Sequence, residues 1–515
     1  MPREGNRHAL LVGAGIFISR IFGLVRQMIF ARYFGLHSVA ADAFNAAFKI
    51  PNILQNLFGE GVLSASFIPV YARLLAQKDE EEAGRVAGAV AAILALTISV
   101  IVLIGVLATP YLIPIIAGGF QGERRELSIR LARILFVGSG LMVLSAWCLG
   151  VLNSHRKFLL SYSAPVIWNV AMIATMVAFG HRFTLSSLAV ALAWGSVAGS
   201  GLMVLAQLPA VLRVAPRLRF GMSPHVHAVM RSFGPVFVSR GVVQISGYVD
   251  LYLATYLPLG AATALQYAQT LYLLPVSLFG MSISAAELPE MSSALGDARA
   301  YLNQRLNAGL RHIAFLIVPS AMAFLALGDV VTALVLQVGR FTAADSRYVW
   351  GILAGSAVGL LAQTMGRLYS STYYALRDTR TPLYFAIVRV ILTTGLGYLF
   401  AFPLPKALGI DPAWGVAGLT ASAGMAGWVE FTLLRRSLNR RIGPTGLPVS
   451  LTLKLWTAAA VGAAAGWAVK VALGPAHPRL FAIPILGVYG LLYFGLTYAM
   501  RVEESGRLVR RLVRR

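Results

Sequence analysis

LLVGAGIFISRIFGLVRQMIFARYF, residues 10–34, and VAADAFNAAFKIPNILQNLFGE, residues 39–60, are two apolar stretches interrupted by charges. Each is long enough to cross a bilayer, for which about 20 residues suffice. An arginine, lysine or aspartate at the centre of a spanning helix costs roughly 2.5–3.5 kcal/mol on insertion scales. Arg20, Arg26, Asp42 and Lys49 are therefore expected to face a protein interior or a watery cavity and to handle something polar there.

The rest of the chain agrees. With 57% hydrophobic residues, 12% charged residues and a mean hydropathy of +0.72 over 515 residues, it is too apolar for soluble domains. Apolar windows predict an all-α polytopic membrane protein of about fourteen spans, near 8–34, 40–74, 84–116, 126–152, 160–180, 185–212, 227–256, 262–292, 306–338, 343–375, 381–402, 412–437, 450–474 and 480–500. The connections after spans 4, 6, 8, 10 and 12 carry Arg156 and Lys157, then Arg213, Arg217 and Arg219, then Arg299 and Arg305, then Arg377 and Arg380, then Arg435, Arg436, Arg440 and Arg441. The positive-inside rule makes those loops and both termini cytoplasmic; Arg124 and Arg125 run against this bias and are outnumbered. The tail, with Arg507, Arg510, Arg511, Arg514 and Arg515 between Leu508, Leu512 and Val513, suits a short basic helix on anionic phospholipids. The +24 formal charge thus reads as topology and lipid contact, with no module for nucleic acid. The single cysteine, Cys148, excludes an intrachain disulfide and reads as a small packing residue.

An internal repeat organises the chain. Ser19-Arg20 recurs as Ser239-Arg240, Phe58-Gly59 as Phe279-Gly280, and Ser64-Ala65 with Pro69 as Ser284-Ala285 with Pro289, at shifts of 220 or 221 residues; Leu152 and Arg156 echo Leu376 and Arg380 at 224. Two pseudo-symmetric six-helix bundles, 1–220 and 221–443, are expected around a central cavity, with two extra helices and a basic tail in 444–515. Rocking one bundle against the other would give alternating access.

On span 2, Asp42, Asn45, Lys49, Asn52, Asn56 and Glu60 share one helical face, opposite Phe44, Ala47, Leu54 and Phe58, and Pro51 is expected to kink the helix beside Asn52. The plain alternative is an Asp42–Lys49 ion pair that only fixes packing. On span 1, Arg20 and Arg26 lie about 120° apart in projection and suit two parts of one anion, since guanidinium donates paired charge-assisted bonds to phosphate. In the second half, Arg240 and Asp250 occupy span 7 and Arg367 span 10. Asp250, Asp378 and Thr394 offer oxygens of the kind that hold a proton or a sodium ion, though Asp378 also suits an N-cap of span 11. Walker, Gly-x-Ser-x-Gly and HExxH motifs are absent, so the driving force is expected from an ion gradient or the membrane potential, with no resident cofactor.

SRIFGLVRQMIFARYFG, ADAFNAAFKIPNILQNLFGEGVLSASFIPVYA, LQVGRFT and YYALRDTRTP closely resemble the MurJ/MviN family of lipid II flippases, in the superfamily that also holds MATE drug exporters. The resemblance covers spans 1–12, and spans 13 and 14 match the family's two extra helices. It implies a non-enzymatic flippase of the bacterial inner membrane, functional as a single chain, that moves lipid II, an undecaprenyl-pyrophosphate-linked muropeptide, to the outer leaflet. Motif matches put substrate binding on Ser19, Arg20, Arg26, Asp42 and Glu60, to which the charge pattern adds Lys49, Asn52, Arg240 and Arg367. Two departures stand out: the family carries an arginine near Gln55 and an acidic–arginine pair where this chain has Gln269-Thr270. Either Arg240 and Arg367 compensate, or the cargo is a different undecaprenyl-linked glycan. A MATE-like exporter of cationic drugs would instead require acidic residues to dominate the cavity, and a membrane glycosyltransferase would require a substantial extramembrane loop.

Overall fold

The computed structural model describes residues 2–58, 60–215, 218–284, 287, 291, 298–474 and 478–513; the side chains of 2–14, 16, 51, 60–61, 65, 235–246, 298, 478, 508–509 and 511–513 lie outside the description. The described residues contain no strand. The helices are α1 Pro2–Phe34, α2 Val39–Phe58, α3 Glu60–Ala76, α4 Glu80–Ile116, α5 Gly122–Ser154, α6 Phe158–Phe179, α7 Leu185–Val214, α8 Pro224–Ala254 and α9 Ala261–Pro275. A π turn, Val276–Met281, follows α9, and then come α10 Ala298–Ala326, α11 Gly328–Leu336, α12 Ala343–Ala375, α13 Arg380–Ala401, α14 Pro403–Leu408, α15 Gly415–Ile442, α16 Val449–Leu473, α17 Pro478–Ala499 and α18 Glu503–Val513.

Ten helical stretches among the described residues are long and apolar enough to cross a membrane. The other four expected spans fall on α1, α8, α9 with its π turn, and α15; α9 itself has fifteen residues, too few to span alone. The protein is an all-α polytopic membrane protein. α2 is helical through residue 51. In the second half Phe279-Gly280 lies in the π turn. Gly280 is required there, because a Cβ would lie 2.3 Å from Thr364 Cγ2.

The chain divides into two compact units, one of Met1–Thr263 with Val338–Arg340, the other of Ala264–Gln337 with Phe341–Arg515. In the first, α5 is the central helix, packed on α2, α4 and α7, while α6 bridges α1 and α7 and α8 lies on α3. Trp147 Nε1 donates to Ala87 O at 3.2 Å and Gln207 Nε2 to Ser145 Oγ at 2.7 Å, uncharged hydrogen bonds that tie α5 to its neighbours α4 and α7. In the second unit α12 and α15 cross at Gly359 and Gly424, where a Cβ on Gly359 would meet Gly424 Cα at 2.3 Å; close backbone approach of this kind is how helices gain packing in lipid.

The two extra helices join the second unit through α10 and α11. Pro319, inside α10, has no N–H for the carbonyl of Phe315, and the Tyr493 hydroxyl supplies the missing donor at 2.7 Å. Tyr489 donates to Pro319 O at 2.6 Å, and Lys470 pairs with Asp329. The terminal helix α18 is held at its acidic start, where Arg311 pairs with Glu504 at 2.9 Å and Glu503 at 3.4 Å.

Helix ends explain much of the connectivity. Asp79, Thr184 and Ser223 accept from the backbone N–H three residues on, and Thr342 with Asp345 forms a reciprocal capping box. Four helices close through a left-handed residue that is not glycine, at Lys78, Arg156, Arg377 and Arg501. Arg156 N bonds Asn153 O and Lys157 N bonds Leu152 O; Arg377 N bonds Tyr374 O and Asp378 N bonds Tyr373 O. The structural partner of Arg156 is therefore Arg377, at the repeat's 221-residue shift, and the expected pairing with Arg380 at 224 is corrected by three residues.

Candidate functional site

The first unit isolates one cation. Arg26 sits on α1 with its guanidinium carbon 4.9 Å from the ring centre of Trp168 on α6 and 5.3 Å from that of Phe48 on α2. Its Nη1 reaches Met172 Sδ at 3.5 Å and its Nε is buried with no hydrogen-bond partner. The faces of Phe48 and Trp168 stack on each other, 5.7 Å apart and 18° from parallel, so the cradle is rigid. Among the described residues no carboxylate pairs with Arg26. Aromatic faces return about 0.5–2 kcal/mol each to a cation, less than an opposed anion would. The site is thus built to hold a guanidinium and leave its donors for an anion.

The span-2 stripe grades from buried to exposed. Asp42 is fully buried, and its Oδ1 accepts from Thr263 N at 3.1 Å and Thr263 Oγ1 at 2.7 Å, while Oδ2 accepts from Gly260 N at 2.9 Å and Arg124 Nη1 at 3.3 Å. Asn45 Nδ2 donates to the same Thr263 hydroxyl at 3.2 Å. Asp42 therefore caps the start of α9 from another helix, neither open to a ligand here nor paired with Lys49. The charge acting on Lys49 is Asp250, on α8. Lys49 and Asn52 are half-buried, Ser19 is half-buried, and Arg20 and Asn56 are exposed. The side chains of Glu60 and Arg240 lie outside the described residues.

In the second unit Arg367 lies among Tyr272, Arg389 and Glu430, and Arg389 Nη1 pairs with Glu430 Oε2 at 3.1 Å. Asp378 is committed elsewhere: it accepts from Arg380 N and Thr381 N, both at 3.0 Å, from Thr381 Oγ1 at 2.7 Å and from Arg441 Nη1 at 2.7 Å. These bonds, that of the Thr381 amide foremost, hold its carboxyl down at about 2. Thr394, exposed, donates to Val390 O at 2.9 Å. Asp378 lies in the turn before α13 and Thr394 fourteen residues beyond the helix's start, about 21 Å along its axis, so the two do not share an ion. No group of three or more His, Cys, Asp or Glu side chains suited to a metal occurs among the described residues.

Sequence reasoning missed Phe48, Trp168 and Met172, which read as ordinary apolar helix residues, and Gly260 and Thr263, which sit at a helix start. It also passed over Arg389 and Glu430, although charges inside spans 11 and 12 were visible by the same insertion-cost argument that singled out Arg20 and Arg26.

Comparison with known proteins gives this arrangement its family. The profile of the family described as Lipid II flippase MurJ matches residues 30–480. The lipid II flippase MurJ of Burkholderia cenocepacia is 30% identical over 445 residues, covering 84% of each chain. A probable lipid II flippase MurJ of Bdellovibrio bacteriovorus is 29% identical over 98% of this chain and 96% of its own. Among solved structures, one titled Lipid II flippase MurJ, inward closed conformation, superposes with a TM-score of 0.80 at 24% identity, covering 95% of this chain and 98% of that one. An inward-facing multidrug resistance MATE family transporter of the MOP superfamily shares the fold more distantly, with a TM-score of 0.64 at 17% identity over 82% of this chain and 96% of that one. The chain belongs to the MurJ family of lipid II flippases.

Proposed function

We propose that this chain flips lipid II, the undecaprenyl-pyrophosphate-linked muropeptide of peptidoglycan synthesis, from the inner to the outer leaflet of the bacterial cytoplasmic membrane by alternating access. The observation that carries this reading is Arg26, a half-buried guanidinium held by Phe48 and Trp168 with no carboxylate beside it among the described residues. Such a donor favours a pyrophosphate and disfavours a cationic drug, for which the charge has the wrong sign. Arg20, exposed one and a half turns away on α1, would take a second oxygen of the same head group.

In this reading both termini are cytoplasmic, the chain works as a monomer, and the basic face of α18 with Arg507 and Arg510 rests on anionic phospholipids. Transport draws on an ion gradient or the membrane potential, and Lys49 with Asp250 is the intramembrane pair through which a proton or sodium ion would act. The deciding experiment is complementation of a strain depleted of its own lipid II flippase. Growth with the unsubstituted chain and lysis with Arg26→Ala at equal protein level are expected. Failure of the unsubstituted chain to support growth, with correct membrane insertion, would turn the reading toward another undecaprenyl-linked glycan.

A further inference from the structure

Three helices of the second unit carry charges to one level of the membrane. Arg367 is eight residues from the end of α12, Arg389 nine residues beyond the start of α13, and Glu430 twelve residues from the end of α15. These ends are tied together by the 376–379 turn and by the Arg441–Asp378 bridge. At 1.5 Å per residue the three charges lie about 12, 14 and 18 Å from that common end.

The charges do not balance. Glu430 is engaged by Arg389, whose Nε is nevertheless buried without a hydrogen-bond partner. Arg367 is exposed to solvent, and its helix and that of Arg389 both pack on the helix that carries Glu430. A structural ion pair needs one arginine and one glutamate. A second guanidinium near the first adds repulsion and gains nothing there until an anion arrives. Two planar forks match the oxygens of a phosphate or diphosphate, which a single lysine would not.

We propose that Arg367 and Arg389 form an anion site of the second unit for the phosphate or diphosphate group of a polyprenyl-type lipid, with Glu430 as the resident counter-ion that the arriving phosphate displaces from Arg389. The lipid's identity rests on the flippase reading above; the anion chemistry does not. Glu430 then keeps Arg389 oriented while the site is empty and competes with the ligand for it, so removing its charge should tighten binding.

The test is equilibrium binding of undecaprenyl pyrophosphate and, separately, inorganic pyrophosphate to the full chain in nanodiscs of zwitterionic lipid, each variant first checked for an unaltered thermal transition. Arg367→Gln should weaken binding by about tenfold or more, with Arg367→Lys recovering part of it. Glu430→Gln, which still offers Arg389 an acceptor, should strengthen binding several-fold, an effect that a packing role for the pair would not produce. The same order of variants with inorganic pyrophosphate means that the head group alone is recognised; the order with the prenyl form only means that the chain is required, and either result supports the site. Tight binding by the unsubstituted chain with both variants unchanged overturns the proposal and leaves the flippase reading intact. Retention of the variant order for inorganic pyrophosphate with no binding of the prenyl lipid sinks the flippase reading and keeps the anion site. No binding of either probe overturns both.

Discussion

The Asp42 carboxylate accepts two hydrogen bonds from one residue, Thr263, through its amide at 3.1 Å and its hydroxyl at 2.7 Å, across 221 positions of sequence. With Gly260 N and Arg124 completing the set, this buried anion neutralises the open N–H groups at the start of α9. Asp42→Ala strands those donors and the Arg124 cation together. A loss of about 3–5 kcal/mol is expected, as for other buried charges deprived of a partner. Thr263→Val, which removes only the hydroxyl, should cost about 1–1.5 kcal/mol. Thermal unfolding in detergent measures both, and equal transitions for Asp42→Ala and the unsubstituted chain would show that the α9 start does not depend on this carboxylate.

Arg26 makes the opposite prediction about stability. A guanidinium beside two stacked aromatic rings, with no carboxylate partner among the described residues, is a burden on the fold, and an apolar side chain of similar length removes it. Arg26→Met should therefore raise the unfolding temperature while abolishing complementation. Trp168→Leu, which leaves the charge and removes its better platform, should lower both stability and activity. A destabilised Arg26→Met would mean that the cation is a structural partner.

The sequence revealed the helical membrane fold almost completely, because hydropathy reports a free energy that every spanning residue contributes to. It located the important charges on α1 and α2 for the same reason. What it could not supply was the partner of each charge: Asp42 lies on the polar stripe of its helix exactly as Lys49 does, yet one is spent on Thr263 and Gly260 and the other faces Asp250. Pairing across 200 residues depends on how helices are rotated against each other, which periodicity along one helix does not encode. The Asp378–Thr394 pairing failed on length alone, since Asp378 precedes the helix that carries Thr394 about four turns on.

Asp378 supplies a pH prediction. Its carboxyl, held at about 2 by the Thr381 amide and hydroxyl and by Arg441, is depressed relative to the unfolded chain. The sign follows: its contribution is fully present above the ordinary aspartate range, near 4, and is lost as pH falls from there toward 2. Between pH 5 and 8 the α13 cap should stay constant. Asp378→Asn should lower stability by about 1 kcal/mol throughout that interval, the usual value of an N-cap and its charge. A difference between the two proteins that grows steadily from pH 5 to 8 would assign the effect to another titrating group.

The left-handed arginines test whether a residue is kept for the fold or for the membrane. Arg156 and Arg377 both close a helix at φ 59°, with the same pair of backbone hydrogen bonds and with exposed side chains. A non-glycine residue in this conformation costs about 1–2 kcal/mol, and glycine is the usual occupant of the position. Both sites, together with Lys78 and Arg501, instead carry a basic residue, which complements the negative end of the helix. Arg377→Gly and Arg156→Gly should each stabilise the isolated protein by up to about 1 kcal/mol, read as a raised unfolding temperature in neutral detergent. The gain should shrink or reverse in vesicles rich in anionic lipid, where the lost arginine forfeits about 1 kcal/mol of surface attraction. The same gain in both settings would leave these arginines without a role at the lipid surface and return their choice to the helix dipole alone.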